Sequence, residues 1–95
     1  MQNIIDAFES FMRRYGTYYS LFYIGIATDP VDRLKNGHNV DQSIPHIYWD
    51  QALQTETVRA VERYFLDKGC KGDAGGGDED TNFIYSYLIT PKTRE

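Results

Sequence analysis

Residues 17–27, "TYYSLFYIGIA", form the stretch that most limits how this chain can fold. It is rich in aromatic and β-branched side chains and is too apolar to stand in water on both faces. Such a run is predicted to be a long, central strand. Gly25 inside it marks a close backbone approach or the end of regular pairing. Just beyond, Asp29 and Pro30 carry a helix start. Asp29 fits the N-cap, Pro30 the first helical position, and Asp32 the third, where a carboxylate favours the helix dipole. A helix over 30–36 is predicted, ending at Asn36-Gly37, with loop over 38–45.

The remaining elements follow from periodicity. Ile4, Ile5, Phe8, Phe11 and Met12 recur at three- and four-residue spacing, which predicts a helix over 3–14. Asn3 offers its N-cap, and Arg13-Arg14 followed by Gly16 its stop. "HIYWDQAL", 46–53, reads as a second strand. Thr55 caps a third helix over about 56–68, with Val58, Val61 and Phe65 on its apolar face and Gly69 as its stop. "FIYSYLIT", 83–90, alternates Phe83, Tyr85 and Tyr87 on one face and predicts a strand that Pro91 ends.

Ninety-five residues suit a single domain, 1–95, with one modest core. The lone Cys70 forms no intrachain disulfide and no Cys-rich zinc site, which points to a reducing compartment. No apolar run approaches the roughly 18–20 residues of a membrane helix. The start, Met-Gln-Asn-Ile-Ile-Asp, lacks the basic segment of a signal peptide. The expectation is a cytoplasmic domain without membrane attachment. The net charge of −4 argues against a strong non-specific hold on nucleic acid. Asp73, Asp78, Glu79 and Asp80 supply that excess. Without them the chain balances, ten acids against ten bases, so a nucleic-acid surface is compatible with the charge without being indicated by it.

Five features bear on chemistry. Glu62 lies about 40° from Val58 on a helical wheel, at the edge of the apolar stripe. A carboxylate there reads as a metal ligand or catalytic carboxylate at the rim of a cleft, as a salt-bridge partner of Arg59 or Arg63, or as a side chain solvated at the edge of the stripe. Arg33, early in its helix, has the planar fork to clamp a phosphate; an exposed surface arginine is the plainer reading. His38 follows the helix-ending glycine, where a histidine is usually exposed but can titrate or bind phosphate. The Gly/Asp loop 72–80 has oxygen donors suited to calcium, yet as a single copy in poor register it reads better as a solvated loop. The eight tyrosines mostly suit cross-strand packing, with a few placed for proton transfer at a cleft.

The order of these features resembles the GIY-YIG nuclease superfamily. "YIGIATDPVDRL" looks like that family's second strand and first helix, with an arginine eight residues past the glycine. "HIYWDQALQTETVRAVERYFL" looks like its third strand and the helix whose acidic residue binds metal. The resemblance covers about residues 17–68. It implies an α+β fold with a small three-stranded antiparallel sheet flanked by helices. It also implies phosphodiester hydrolysis with one divalent cation, usually magnesium. Under it, Tyr23 stands near the attacking water, Arg33 stabilises charge on the phosphate, and Glu62 holds the metal. His38 falls one residue later than the family's frequent helix-end histidine, and Asn82 sits where a late asparagine is expected.

The family's Gly-Ile-Tyr strand is missing upstream. Phe83-Ile84-Tyr85 resembles it, so strand 83–90 is expected beside residues 17–27 in a circularly permuted sheet, with Tyr85 as the substitute tyrosine. The rival reading is a catalytically inactive domain of the same fold that contacts protein or nucleic acid. Aromatic strands also offer an edge for a protein partner or a second copy.

Overall fold

The computed structural model describes residues 2–15, 18–40, 47–52, 54–72, 81–91 and 93. The chain is α+β, as expected. Helix α1 (Gln2–Tyr15) leads through a 3₁₀ turn (Tyr19–Leu21) into strand β1 (Phe22–Ala27). Helix α2 (Pro30–Asp32) continues as a π-helical turn (Arg33–Gly37). Strand β2 (Ile47–Gln51), helix α3 (Thr55–Lys68) and strand β3 (Phe83–Leu88) complete the order. Histidine 46, Leu53 and most of the Gly/Asp loop (73–80) lie outside the described residues, and with them the calcium reading.

The three strands form one antiparallel sheet in the order β1-β3-β2. The last strand in sequence is therefore central. Tyr23 pairs with Tyr87 and Gly25 with Tyr85 on one side, while Ile47 pairs with Tyr87 and Trp49 with Tyr85 on the other. This corrects the expectation of a long central strand at 17–27. The strand is six residues long, and it lies at the side of the sheet. All six are buried for a different reason. Elements cover both faces of β1, and the Lys71 backbone covers its outer edge. Ile24 N–H donates to the Lys71 carbonyl at 2.9 Å, and Lys71 N–H donates to the Phe22 carbonyl at 2.9 Å.

Alternation along the strands divides the core into two layers. Phe22, Ile24, Ile26 and Ile84 pack with Ile5, Phe8, Phe11 and Met12 of α1 and Val58, Val61 and Phe65 of α3. Phe8 meets Tyr48 edge-on with centroids 4.7 Å apart, a geometry worth about 0.5–1.5 kcal/mol beyond burial. Across the sheet, Tyr23, Ala27, Tyr85 and Tyr87 pack with Leu34 and Val40. Tyr23 and Tyr85 sit in this second, smaller layer, whereas Glu62 belongs to α3, whose apolar stripe packs in the first.

The helix caps are a mixed outcome. The Asp29 carboxylate accepts from Asp32 N–H at 3.1 Å, as its position predicts. Asn3 does not cap α1, which already begins at Gln2. Thr55 is the first helical residue of α3, and Gln54 holds the cap position without a side-chain hydrogen bond. Gly69 closes α3 as expected.

Candidate functional site

Tyr23, Tyr85 and Tyr87 share the second face because Tyr23 stands directly opposite Tyr87, and Tyr85 lies two residues before Tyr87 on the same strand. Their rings are nearly parallel. Tyr23 and Tyr87 lie 5.3 Å apart between centroids with a 15° interplanar angle, and Tyr23 and Tyr85 lie 6.3 Å apart at 19°. Gly25 makes the stack possible. A β-carbon there would stand 2.5 Å from Tyr85 Oη, so the Tyr85 ring passes over β1 where only a hydrogen fits.

His38 enters this cluster from above. The expectation of an exposed loop histidine is overturned, since its side chain is only 5% exposed. Two backbone features put it there. The turn through Arg33–Gly37 is π-helical, closed by His38 N–H donating to the Arg33 carbonyl at 3.0 Å. A π turn holds more residues than an α turn, so the chain swings further before it leaves. The helical turn ends at Gly37 as predicted, and two residues on the chain reverses at Asn39, whose φ of 56° is left-handed. Asparagine tolerates that conformation better than most residues. The turn brings Val40 N–H to the Leu34 carbonyl at 2.8 Å, so Leu34 and Val40 bury beside the histidine.

The imidazole is held by both later tyrosines. His38 Nε2 is 2.7 Å from Tyr85 Oη, and His38 Nδ1 is 3.1 Å from Tyr87 Oη. Its ring also lies 4.5 Å from that of Tyr23. The pattern Phe83/Tyr85/Tyr87 already puts Tyr87 on this face, yet nothing in the sequence distinguishes it from a packing tyrosine.

Two charged side chains act on the same hydroxyl. Burial, chiefly, pushes the Tyr85 phenol well above its ordinary range; Tyr23 and Glu62 raise it further, while Arg33 opposes them. Tyr85 therefore keeps its proton at neutral pH. Arg33 itself is exposed. Its stem lies along Gly37, where an added β-carbon would come within 2.9 Å of Cδ. Glu62 is 4% exposed and occupies the buried stripe of α3 with Val58, Val61 and Phe65. Asn82 lies one residue before β3, and its carbonyl accepts from Ala52 N–H at 3.0 Å; its described contact is structural.

Among the described residues no three His, Cys, Asp or Glu side chains gather into a metal cluster. Magnesium needs no such cluster, because it retains waters and is commonly held by one or two carboxylates and the substrate's phosphate. The hard oxygen donors of Glu62 fit that demand. Trp49, the register partner of Tyr85, remains 38% exposed on β2, the last strand of the β1-β3-β2 order. No family model, no curated protein and no solved structure matches the chain. No helix among the described residues is long and apolar enough to cross a membrane.

Proposed function

We propose that this chain is a divergent GIY-YIG-like phosphodiesterase that cleaves nucleic acid with a divalent cation. One observation carries the reading: Tyr23, His38, Arg33 and Glu62 all act on Tyr85, by ring contact, hydrogen bond or charge. These are the residue types and positions that the resemblance assigns to the reaction. The pairing of β3 beside β1 further supports a permuted arrangement, with Tyr85 directly opposite Gly25. The π turn also accounts for the late histidine. One added residue in that turn lets His38 reach the cluster from a position one place further along.

The chemistry follows from the groups present. Glu62 would hold magnesium, which when bound supplies Lewis-acid polarisation of the phosphoryl oxygens. Arg33, exposed and cationic, binds the phosphate and stabilises the negative charge that grows on it. Tyr23 and Tyr85 orient the attacking water. A protonated Tyr85 takes that water's proton only by passing on its own, and His38 Nε2 is the acceptor at 2.7 Å. A P–O bond forms to the water oxygen, the P–O bond to the leaving alcohol breaks, and the leaving oxygen takes a proton from solvent.

A second reading has its own support: the chain is acidic, and Tyr18 and Trp49 are exposed aromatics. These suit a non-catalytic module that binds a protein, a second copy or nucleic acid. Nicking of supercoiled DNA separates the two. The nuclease reading expects nicking by wild type with magnesium, none with a chelator, and loss in Glu62→Ala and Arg33→Ala. Folded wild type without nicking or cleavage of single-stranded DNA or RNA supports the binding module. Activity indifferent to both substitutions comes from a contaminant and counts against the proposal.

A further inference from the structure

We infer that Tyr87 is a positioning residue that fixes the tautomer of His38, holding Nδ1 protonated and leaving Nε2 open to receive the Tyr85 proton. This deepens the proposed reaction, on which its catalytic consequence rests, but the geometric argument is independent of it.

A neutral imidazole has one donor nitrogen and one acceptor nitrogen. His38 meets a phenol at each, so one tyrosine must donate to it and the other must accept from it. The two contacts differ in length. Tyr85 Oη to Nε2 is 2.7 Å, short and typical of a hydroxyl donor. Tyr87 Oη to Nδ1 is 3.1 Å, in the ordinary range of a ring N–H donating to oxygen. The shorter contact suits Tyr85 as donor to Nε2 and the longer one suits Tyr87 as acceptor from Nδ1–H, and this is the tautomer we infer. Both tyrosines are buried, Tyr87 completely, so water does not readily substitute for either partner.

The assignment has a direction. When Tyr85 passes its proton to Nε2, His38 becomes an imidazolium whose Nδ1–H still donates to Tyr87. The phenol oxygen of Tyr87 thus serves both states of the ring. With the opposite tautomer, Nε2 would carry a proton already, and Tyr85 would have no acceptor on this histidine. The arrangement matches the general logic of a base held in the productive tautomer by a buried partner, here with a neutral oxygen in place of a carboxylate.

Long-range proton–nitrogen correlation spectra of ¹⁵N-labelled full chain at neutral pH report the tautomer directly. The expected wild-type pattern is a protonated Nδ1 and an unprotonated Nε2 for His38. Tyr87→Phe should then shift His38 toward the Nε2–H form or a mixture, with kcat lowered ~10-fold or more and KM little changed. A wild-type His38 in the Nε2–H form overturns the inference without any variant being needed. So does a folded Tyr87→Phe protein with an unchanged tautomer. If wild type cleaves nothing yet shows the Nδ1–H tautomer and the Tyr87→Phe shift, the positioning inference stands and the nuclease reading falls.

Discussion

The Tyr85 hydroxyl occupies the space that a side chain at Gly25 would need: an added β-carbon would stand 2.5 Å from Oη and 2.6 Å from Cζ. Gly25→Ala therefore forces the buried Tyr85 ring off β1. The expected cost is about 1–3 kcal/mol, the usual range for overpacking a core. Urea unfolding followed by circular dichroism measures it. The His38–Tyr85 hydrogen bond should be lost in the same variant, so the His38 ring signals should move even where the fold persists. A Gly25→Ala protein as stable as wild type, with unmoved His38 signals, would show that the ring does not sit where it is described.

Ser86 offers a contrasting case on the other face of the central strand. It is fully buried, and among the described residues its hydroxyl has no hydrogen-bond partner. An unsatisfied buried polar group costs about 1–3 kcal/mol. Ser86→Ala removes it with little change in volume, and is expected to raise stability by roughly 1 kcal/mol. Its urea midpoint should rise with an unchanged denaturant slope. A lower midpoint would mean that the hydroxyl has a partner.

Buried acids shape the response to alkali, and Cys70 has the lowest ordinary value among those that burial raises. Burial, chiefly, with the Glu9 carboxylate adding to it, pushes the Cys70 thiol up to about 12 from an ordinary value of 9.0. Tyr85 is raised in the same direction from 10.0. The folded chain thus retains protons that the unfolded chain releases. The stabilising contribution is complete below pH 9 and is lost as pH rises through 9 toward 12. The slope is ~1.4 kcal/mol per pH unit for each group while it is titrating only in the unfolded state. Unfolding free energies between pH 7.5 and 10.5 should be flat at first and then fall. In Cys70→Ala the fall should begin about one unit later. A wild-type profile flat through pH 10.5 would contradict the burial of Cys70.

The parts of the fold that were legible in the sequence are those where one periodicity dominates. The α1 stripe of Ile5, Phe8, Phe11 and Met12, the α3 stripe, and the alternating β3 strand each bury the residues that the pattern marks. Strand order was harder to read. Residues 22–27 look central because they are apolar throughout, yet their edge is covered by the Lys71 backbone, and a side-chain pattern says nothing about such cover. The candidate site was half legible. Gly25, Tyr85 and Glu62 stand out by type and position. His38 stands out by type too, but its burial does not, because that depends on a π turn and on a left-handed Asn39 beside the buried Leu34 and Val40. Strand alternation marks Tyr87 for its face only, since its contact with His38 is long-range.

The central claim is that Arg33 and Glu62 serve one reacting phosphate. A double-mutant cycle on cleavage of a labelled oligonucleotide with magnesium tests it most directly, using Arg33→Ala, the near-isosteric Glu62→Gln, and both together. Groups that act as a unit give strongly non-additive losses. The account predicts that each single variant loses at least ~100-fold in kcat/KM, and that the double variant is no worse than the poorer single one. Losses that multiply, or a folded wild type that leaves the phosphodiester intact, would contradict it.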